Sequence, residues 1–197
     1  IKEMTGIRRS GKSVMLELIK EELAEAGVAP SQMISINFED MRYSHLQTAT
    51  ALHDEIIKRA EGIEGKAYLF FDEIQEVEGW EKCVNSLRVA LDCDIYITGS
   101  NAKLLSGELA TYIGGRYVEF VIYPFSFAEF LELYHTIAPS DSIQQCFQKY
   151  LLAGGMPYLA NLRYEEDPSR QYLTDLFNSV QLKDIVLSLI HISEPTR

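Results

Sequence analysis

Cysteine is scarce, with Cys83, Cys93 and Cys146 the three in 197 residues and no C-x-x-C spacing among them. An odd number so placed suggests neither a disulfide framework nor a zinc site, and predicts buried, reduced thiols. Histidine is nearly as sparse, with four in the chain: His45, His53 and His135 are scattered, form no metal-ligand cluster and read as surface or loop residues. Positive charge falls short as well. With 18 Lys and Arg against 29 Asp and Glu, the net charge of −11 repels nucleic acid on average, and DNA binding has no support. No apolar run approaches the roughly 18 residues that span a bilayer, and no signal peptide is visible. No initiator Met opens the chain, and Ile1-Lys2-Glu3-Met4-Thr5 is too short for a complete buried strand, so a fragment is expected at this end. These absences point to a cytoplasmic globular protein with no membrane partner. The 47% hydrophobic content is enough for a core, with one principal domain and a smaller one beside it.

What is present is concentrated near the start. Gly6-Ile7-Arg8-Arg9-Ser10-Gly11-Lys12-Ser13 fits G-x-x-x-x-G-K-[ST] at every fixed position. Two glycines let a tight loop turn its N–H groups inward around phosphate oxygens with no Cβ in the way. Lys12 then reaches the β- and γ-phosphates, and Ser13 offers a hydroxyl to Mg²⁺. The helix beginning at Ser13-Val14 points its positive end at the same anion. Met15, Leu18, Ile19, Leu23 and Ala26 give that helix a buried face, and Gly27 ends it.

Beyond the loop, strands and helices alternate. Met33 to Phe38 predicts a strand with Ile34, Ile36 and Phe38 on one face; Leu46 to Ala60 predicts a helix carrying Ala49, Leu52, Ile56 and Ala60. Tyr68-Leu69-Phe70-Phe71 is apolar throughout, as a strand covered on both faces would be, and runs into Asp72-Glu73. An acidic pair alone usually opens a solvated loop. Beside a phosphate loop, however, the end of a neighbouring parallel strand is where an Asp holds Mg²⁺ and a following Glu orients or deprotonates the attacking water. Asp72 is the metal candidate and Glu73 the general base.

Trp80, Cys83, Val84, Leu87 and Leu91 mark another helix, and Ile95-Tyr96-Ile97-Thr98 a fourth strand ending in Gly99-Ser100-Asn101. Ser100 or Asn101 at that end is either a γ-phosphate contact or a turn and capping residue. Gly114-Gly115-Arg116 leads into a fifth strand, Tyr117 to Ile122. Arg116 is either a surface charge or a cation aimed at a phosphate, including one across a subunit boundary. Past Pro124 the pattern turns helical: a capping box at Ser126-Phe127-Ala128-Glu129, a second helix around Ile143 to Leu152, the interruption Ala153-Gly154-Gly155-Met156-Pro157, and a third helix from Pro168 through Val180. The expected fold is α/β: a five-stranded parallel sheet with helices on both faces, its first strand truncated, followed by a helical region.

These stretches together resemble the prokaryotic AAA-type P-loop ATPases whose loop reads G-x-R-R-x-G-K-[ST], often followed by a C-terminal domain of unknown or nuclease-like character. The likeness rests on the loop, Leu69-Phe70-Phe71-Asp72-Glu73, Thr98-Gly99-Ser100-Asn101, and Gly115-Arg116 ahead of Tyr123-Pro124-Phe125-Ser126-Phe127-Ala128-Glu129-Phe130, and runs from Ile1 to about Val186. The resemblance implies that Gly6 to Ser13 is the Walker A loop, Asp72 and Glu73 the Walker B pair, and Ser100 or Asn101 the sensor. It also implies ATP and Mg²⁺ as cofactors and either a homo-oligomer or a protein partner. The expected divisions are a core over 1–122, a helical lid or extension over 123–186, and a tail over 187–197. Ser188 to Arg197 resembles read-through of a library adaptor and is set aside, so His191 carries no role. Two activities fit: Mg²⁺-dependent ATP hydrolysis, or a nucleotide-gated switch with slow or no turnover. A GTPase fits poorly, since Asp72-Glu73-Ile74-Gln75 is not D-x-x-G and Asn101-Ala102-Lys103-Leu104 is not N-K-x-D.

Overall fold

A computed structural model describes residues 1–99 and 115–181. The expected sensor residues Ser100 and Asn101 and the tail over 187–197 lie outside the described residues. Contacts divide the chain into two compact units, one of Ile1–Gly6 with Lys12–Ile122, the other of Ile7–Gly11 with the chain from Tyr123 on.

The first unit is built on β1 (Lys2–Thr5), β2 (Met33–Asn37), β3 (Ala67–Asp72), β4 (Cys93–Thr98) and β5 (Val118–Val121), all parallel and ordered β2-β3-β4-β1-β5. The short β1 is an interior strand. It pairs with β4 through Met4 opposite Thr98 and with β5 through Thr5 opposite Val121, so four residues suffice when both edges are hydrogen-bonded.

Side chains alternate across this sheet and assign the helices to its faces. Met4, Phe70 and Tyr96 pack with Leu16 of α1 (Lys12–Glu25), and the Phe70 and Tyr96 rings stack at 4.8 Å. Leu69, Phe71, Ile95 and Ile97 face the other way, onto Leu52 and Ile56 of α2 (Ala49–Ala60) and Val84 and Leu87 of α3 (Trp80–Ala90). A strand lined on both faces has no solvent side, which is why β3 reads as a continuous apolar run. One expectation needs correcting. Leu18 is 47% exposed and Ala26 is exposed, because the buried stripe of α1 runs through Met15, Leu16, Ile19 and Leu23. Leu18 points about 200° away from Leu16 at 100° per residue. Gly27 ends α1 at φ +92°, where its N–H reaches Ala24 O at 3.0 Å and the Val28 N–H reaches Leu23 O at 2.9 Å, the paired bonds of a Schellman cap. All three thiols are free; Cys83 and Cys146 are buried, Cys93 is half-buried, and burial pushes Cys83 up to about 12.

Glu3 is an acidic side chain inside this sheet. It is buried in β1 and stands in register with Glu119 of β5, and desolvation, followed by that neighbouring charge, raises its carboxyl from 4.5 to about 7. Folding therefore favours the protonated form. The resulting penalty is absent below the unfolded value, grows as pH rises, and is complete above the folded value, about 3 kcal/mol from a 1.36 kcal/mol-per-unit conversion. Glu3→Gln is expected to improve its standing against wild type by on the order of 3 kcal/mol between about pH 5 and about pH 8, read from urea unfolding at each pH. Equal differences at both pH values would reject this.

Among the described residues, the second unit's helices are α4 (Phe127–Ile137), α5 (Ile143–Ala153) and α6 (Glu166–Val180). The Ser126 capping box forms, with Ser126 N–H donating to Glu129 Oε2 at 2.7 Å, and Ser142 with Gln145 repeats it at α5. Phe130, Tyr134, Cys146, Met156, Leu159 and Tyr164 form the core. Gly155 is required there: a Cβ would stand 2.0 Å from Phe125 O, because the Phe125 N–H donates to Gly155 O at 2.8 Å.

Candidate nucleotide site

Thr5 ends β1 and the chain turns into the glycine loop, which feeds directly into α1. Gly6, Arg9 and Gly11 all have positive φ, at 146°, 63° and 106°, and the Ser10 N–H closes a turn onto Ile7 O at 3.2 Å. Backbone of alternating hand turns consecutive N–H groups toward one concave side, the geometry of an anion nest. A Cβ on Gly11 would meet nothing within 4 Å, so the loop has open space beside it. Ser10 is buried and its hydroxyl has no hydrogen-bond partner. Lys12 is buried too, with Nζ donating to Gly6 O at 3.1 Å across the loop. Arg8 is half-buried; Ile7, Arg9, Ser13 and Val14 are exposed, Ser13 and Val14 in the first turn of α1.

The acidic pair is at the same end of the sheet. Phe71 is opposite Ile97 and Thr98 is opposite Met4, so Asp72 closes β3 level with the last residues of β1, two strands and roughly 10 Å away at ordinary strand spacing. Asp72 is buried and accepts from Asn37 Nδ2 at 3.1 Å and from the Thr98 hydroxyl. That same Thr98 oxygen accepts the Glu73 N–H at 3.1 Å. One hydroxyl thus ties both acidic residues to the end of β4. Glu73 sits at φ 54°, a left-handed conformation uncommon outside glycine and concentrated at functional sites, and its carboxylate accepts from Gln75 Nε2.

Thr98 and Asn37 were not among the candidates read from the sequence. Their signal was a polar residue at the end of a predicted strand, but only the strand order sets both beside Asp72. Thr98→Val is expected to lower activity about tenfold or more, as loss of a supporting hydrogen bond does at metal sites, and to cost about 1–3 kcal/mol by leaving the half-buried Glu73 N–H unpaired and taking a donor from buried Asp72. Thr98→Ser should restore the activity; phosphate release and thermal melts are the measurements.

Arg116 is not brought to this end. It precedes β5, whose first residue Val118 is opposite Lys2, whereas the loop leaves from beyond the Thr5–Val121 pair. Within one chain Arg116 is therefore at the amino edge of the sheet, exposed to solvent.

The residues fit a magnesium-bound triphosphate. Ser13 and Asp72 are hard oxygen donors, and the described residues hold no group of three or more His, Cys, Asp or Glu able to cage a metal alone. One or two such oxygens suit Mg²⁺, which is held by them together with substrate phosphates.

The family model for an AAA domain matches residues 1–131. The chain belongs to the AAA-domain family. It is a member of the P-loop ATPase class, with the mixed α/β fold that class uses. An uncharacterized Haemophilus influenzae protein is 42% identical over 185 residues, covering 94% of this chain and 46% of that protein. Uncharacterized protein MJ1544 of Methanocaldococcus jannaschii is 33% identical over 195 residues, covering 94% and 42%. This AAA chain thus spans less than half the length of these curated relatives. Among solved structures, the Aeropyrum pernix Orc1 protein in complex with DNA is 13% identical at a TM-score of 0.47, covering 91% of this chain and 59% of that one. No helix among the described residues of the AAA chain is long and apolar enough to cross a membrane.

Proposed function

We propose that the chain binds ATP with Mg²⁺ and hydrolyses it to ADP and phosphate, the free energy serving a remodelling or effector step in a longer protein. The observation that carries this reading is the Asp72-Glu73 pair, tied by Thr98 to the sheet end from which β1 opens into the glycine loop.

In this reading the backbone of Gly6 to Gly11 surrounds the phosphates, joined by the first N–H groups of α1 up to Val14, and Lys12 exchanges its bond to Gly6 O for phosphate oxygens. Ser13 and Asp72 hold the metal. Mg²⁺, when bound, neutralises charge on the departing phosphates. Glu73 orients a water and accepts its proton as oxygen bonds to the γ-phosphorus and the bond to ADP breaks. Ser100 or Asn101 contacts the γ-phosphate. Arg116 supplies its cation to the site of a neighbouring copy, which its position at the opposite sheet edge requires if it acts at all. We also assign the divisions 1–122, 123–186 and 187–197 to core, helical extension and adaptor-derived tail.

A switch with slow turnover is the second reading, favoured by the hydrogen bond that occupies the Glu73 carboxylate. Turnover separates the two. The chain is expected to release phosphate from ATP with Mg²⁺ and to stop when EDTA removes the metal; release no faster than the protein-free control would favour the switch.

A further inference from the structure

The glycine loop carries an anomaly at its centre. Ile7 O and Ser10 N–H close a four-residue turn whose third position, Arg9, has φ 63°. That position favours glycine, which adopts the left-handed region without a Cβ clash. A long cationic side chain there needs a compensating contact, and one is present. The Arg9 guanidinium lies over the ring of Tyr172 in α6, 5.3 Å from its centroid. Ile7–Gly11 and α6 belong to the same compact unit, so the contact is internal to it.

Tyr172 is suited to hold a cation. It is buried, its ring lies 4.9 Å from that of Tyr158, and its hydroxyl has no hydrogen-bond partner. The phenol oxygen therefore does nothing that a phenylalanine would lose, and what the ring offers is its π face.

We propose that Tyr172 is a positioning residue for the nucleotide site. By holding the Arg9 guanidinium it keeps the Arg9 peptide left-handed, and so keeps the loop's N–H groups arranged for an anion before one arrives. Nothing in this requires Arg9 to touch the phosphates. Preorganisation of this kind tightens binding because less ordering remains to be done when the ligand arrives. It also makes the affinity of the loop depend on the helical unit that carries α6. This inference rests on the nucleotide reading above.

The test is titration of the whole chain with a fluorescent ATP analogue and Mg²⁺. Tyr172→Leu is expected to weaken binding about three- to tenfold, the scale of a partly desolvated cation–π contact, while Tyr172→Phe binds as wild type. Arg9→Gly keeps the backbone preference and removes the cation, so in that background Tyr172→Leu should have no further effect on affinity. A purely structural role for Tyr172 would instead lower the melting temperature in both backgrounds and leave no such coupling. Arg9→Gln, at an exposed position, tests the same contact even if the leucine variant does not fold, and should also weaken binding. Wild-type affinity in Arg9→Gln, or equal losses from Tyr172→Leu in both backgrounds, would overturn this inference alone. Failure of the wild type to bind the analogue would overturn the nucleotide reading beneath it.

Discussion

Glu73→Gln is expected to bind ATP within about threefold of wild type while phosphate release falls about 10²- to 10⁴-fold, the range attributed to a positioned general base. Glutamine preserves size and can still take the Gln75 hydrogen bond through its amide oxygen, so the left-handed turn after β3 should survive. What it lacks is an anionic oxygen able to take a proton from water. Single-turnover mixing with labelled ATP separates the two quantities, because retention of nucleotide and release of phosphate are read on the same sample. Equal release from both forms at a measurable wild-type rate would remove Glu73 from the base role. The base must then come from elsewhere, and Asp72 is already committed to Asn37 and Thr98.

Lys12→Ala should cost more in binding. The ammonium is buried beside the loop, where it spans from α1 to Gly6 O, and charge-assisted hydrogen bonds to phosphate oxygens are worth about 1.5–3 kcal/mol each. Two such bonds correspond to about a hundredfold or more in affinity. Calorimetry with a non-hydrolysable ATP analogue and Mg²⁺ gives the number. Unchanged affinity and an unchanged rate would reject the site assignment. Stability should move little by comparison, since the Gly6 carbonyl that Nζ reaches can be solvated at the edge of an open loop.

Glycine loop, acidic strand end and helix caps were legible because each is a local pattern. Gly6 to Ser13 and the Ser126–Glu129 box lie within a few residues, and their physics is settled by those residues alone. The strands were legible for a related reason: period-two alternation in β2 and the unbroken apolar run of β3 report how many faces are covered. Leu18 shows the limit of periodicity. A helix face can be drawn through it as well as through Leu16, and only the sheet beneath selects between them.

Thr98, Asn37 and Arg116 show a different limit. Whether a polar strand end supports Asp72 depends on which strand is its neighbour, and whether an arginine ahead of β5 faces the loop depends on the direction in which β5 runs. Glu3 belongs with them, since its raised carboxyl follows from being interior and level with Glu119.

From the amino-acid order alone came the glycine loop and the acidic strand end on which the proposed chemistry rests, because both are short-range stereochemical patterns. Tertiary structure alone decided who stands beside whom: β1 inserted between β4 and β5, one threonine bridging two carboxylic residues, and Arg9 laid against a ring more than 160 residues along the chain. Such pairings are set by burying both faces of one sheet and one aromatic core at once, a condition on the whole chain that no window of sequence contains.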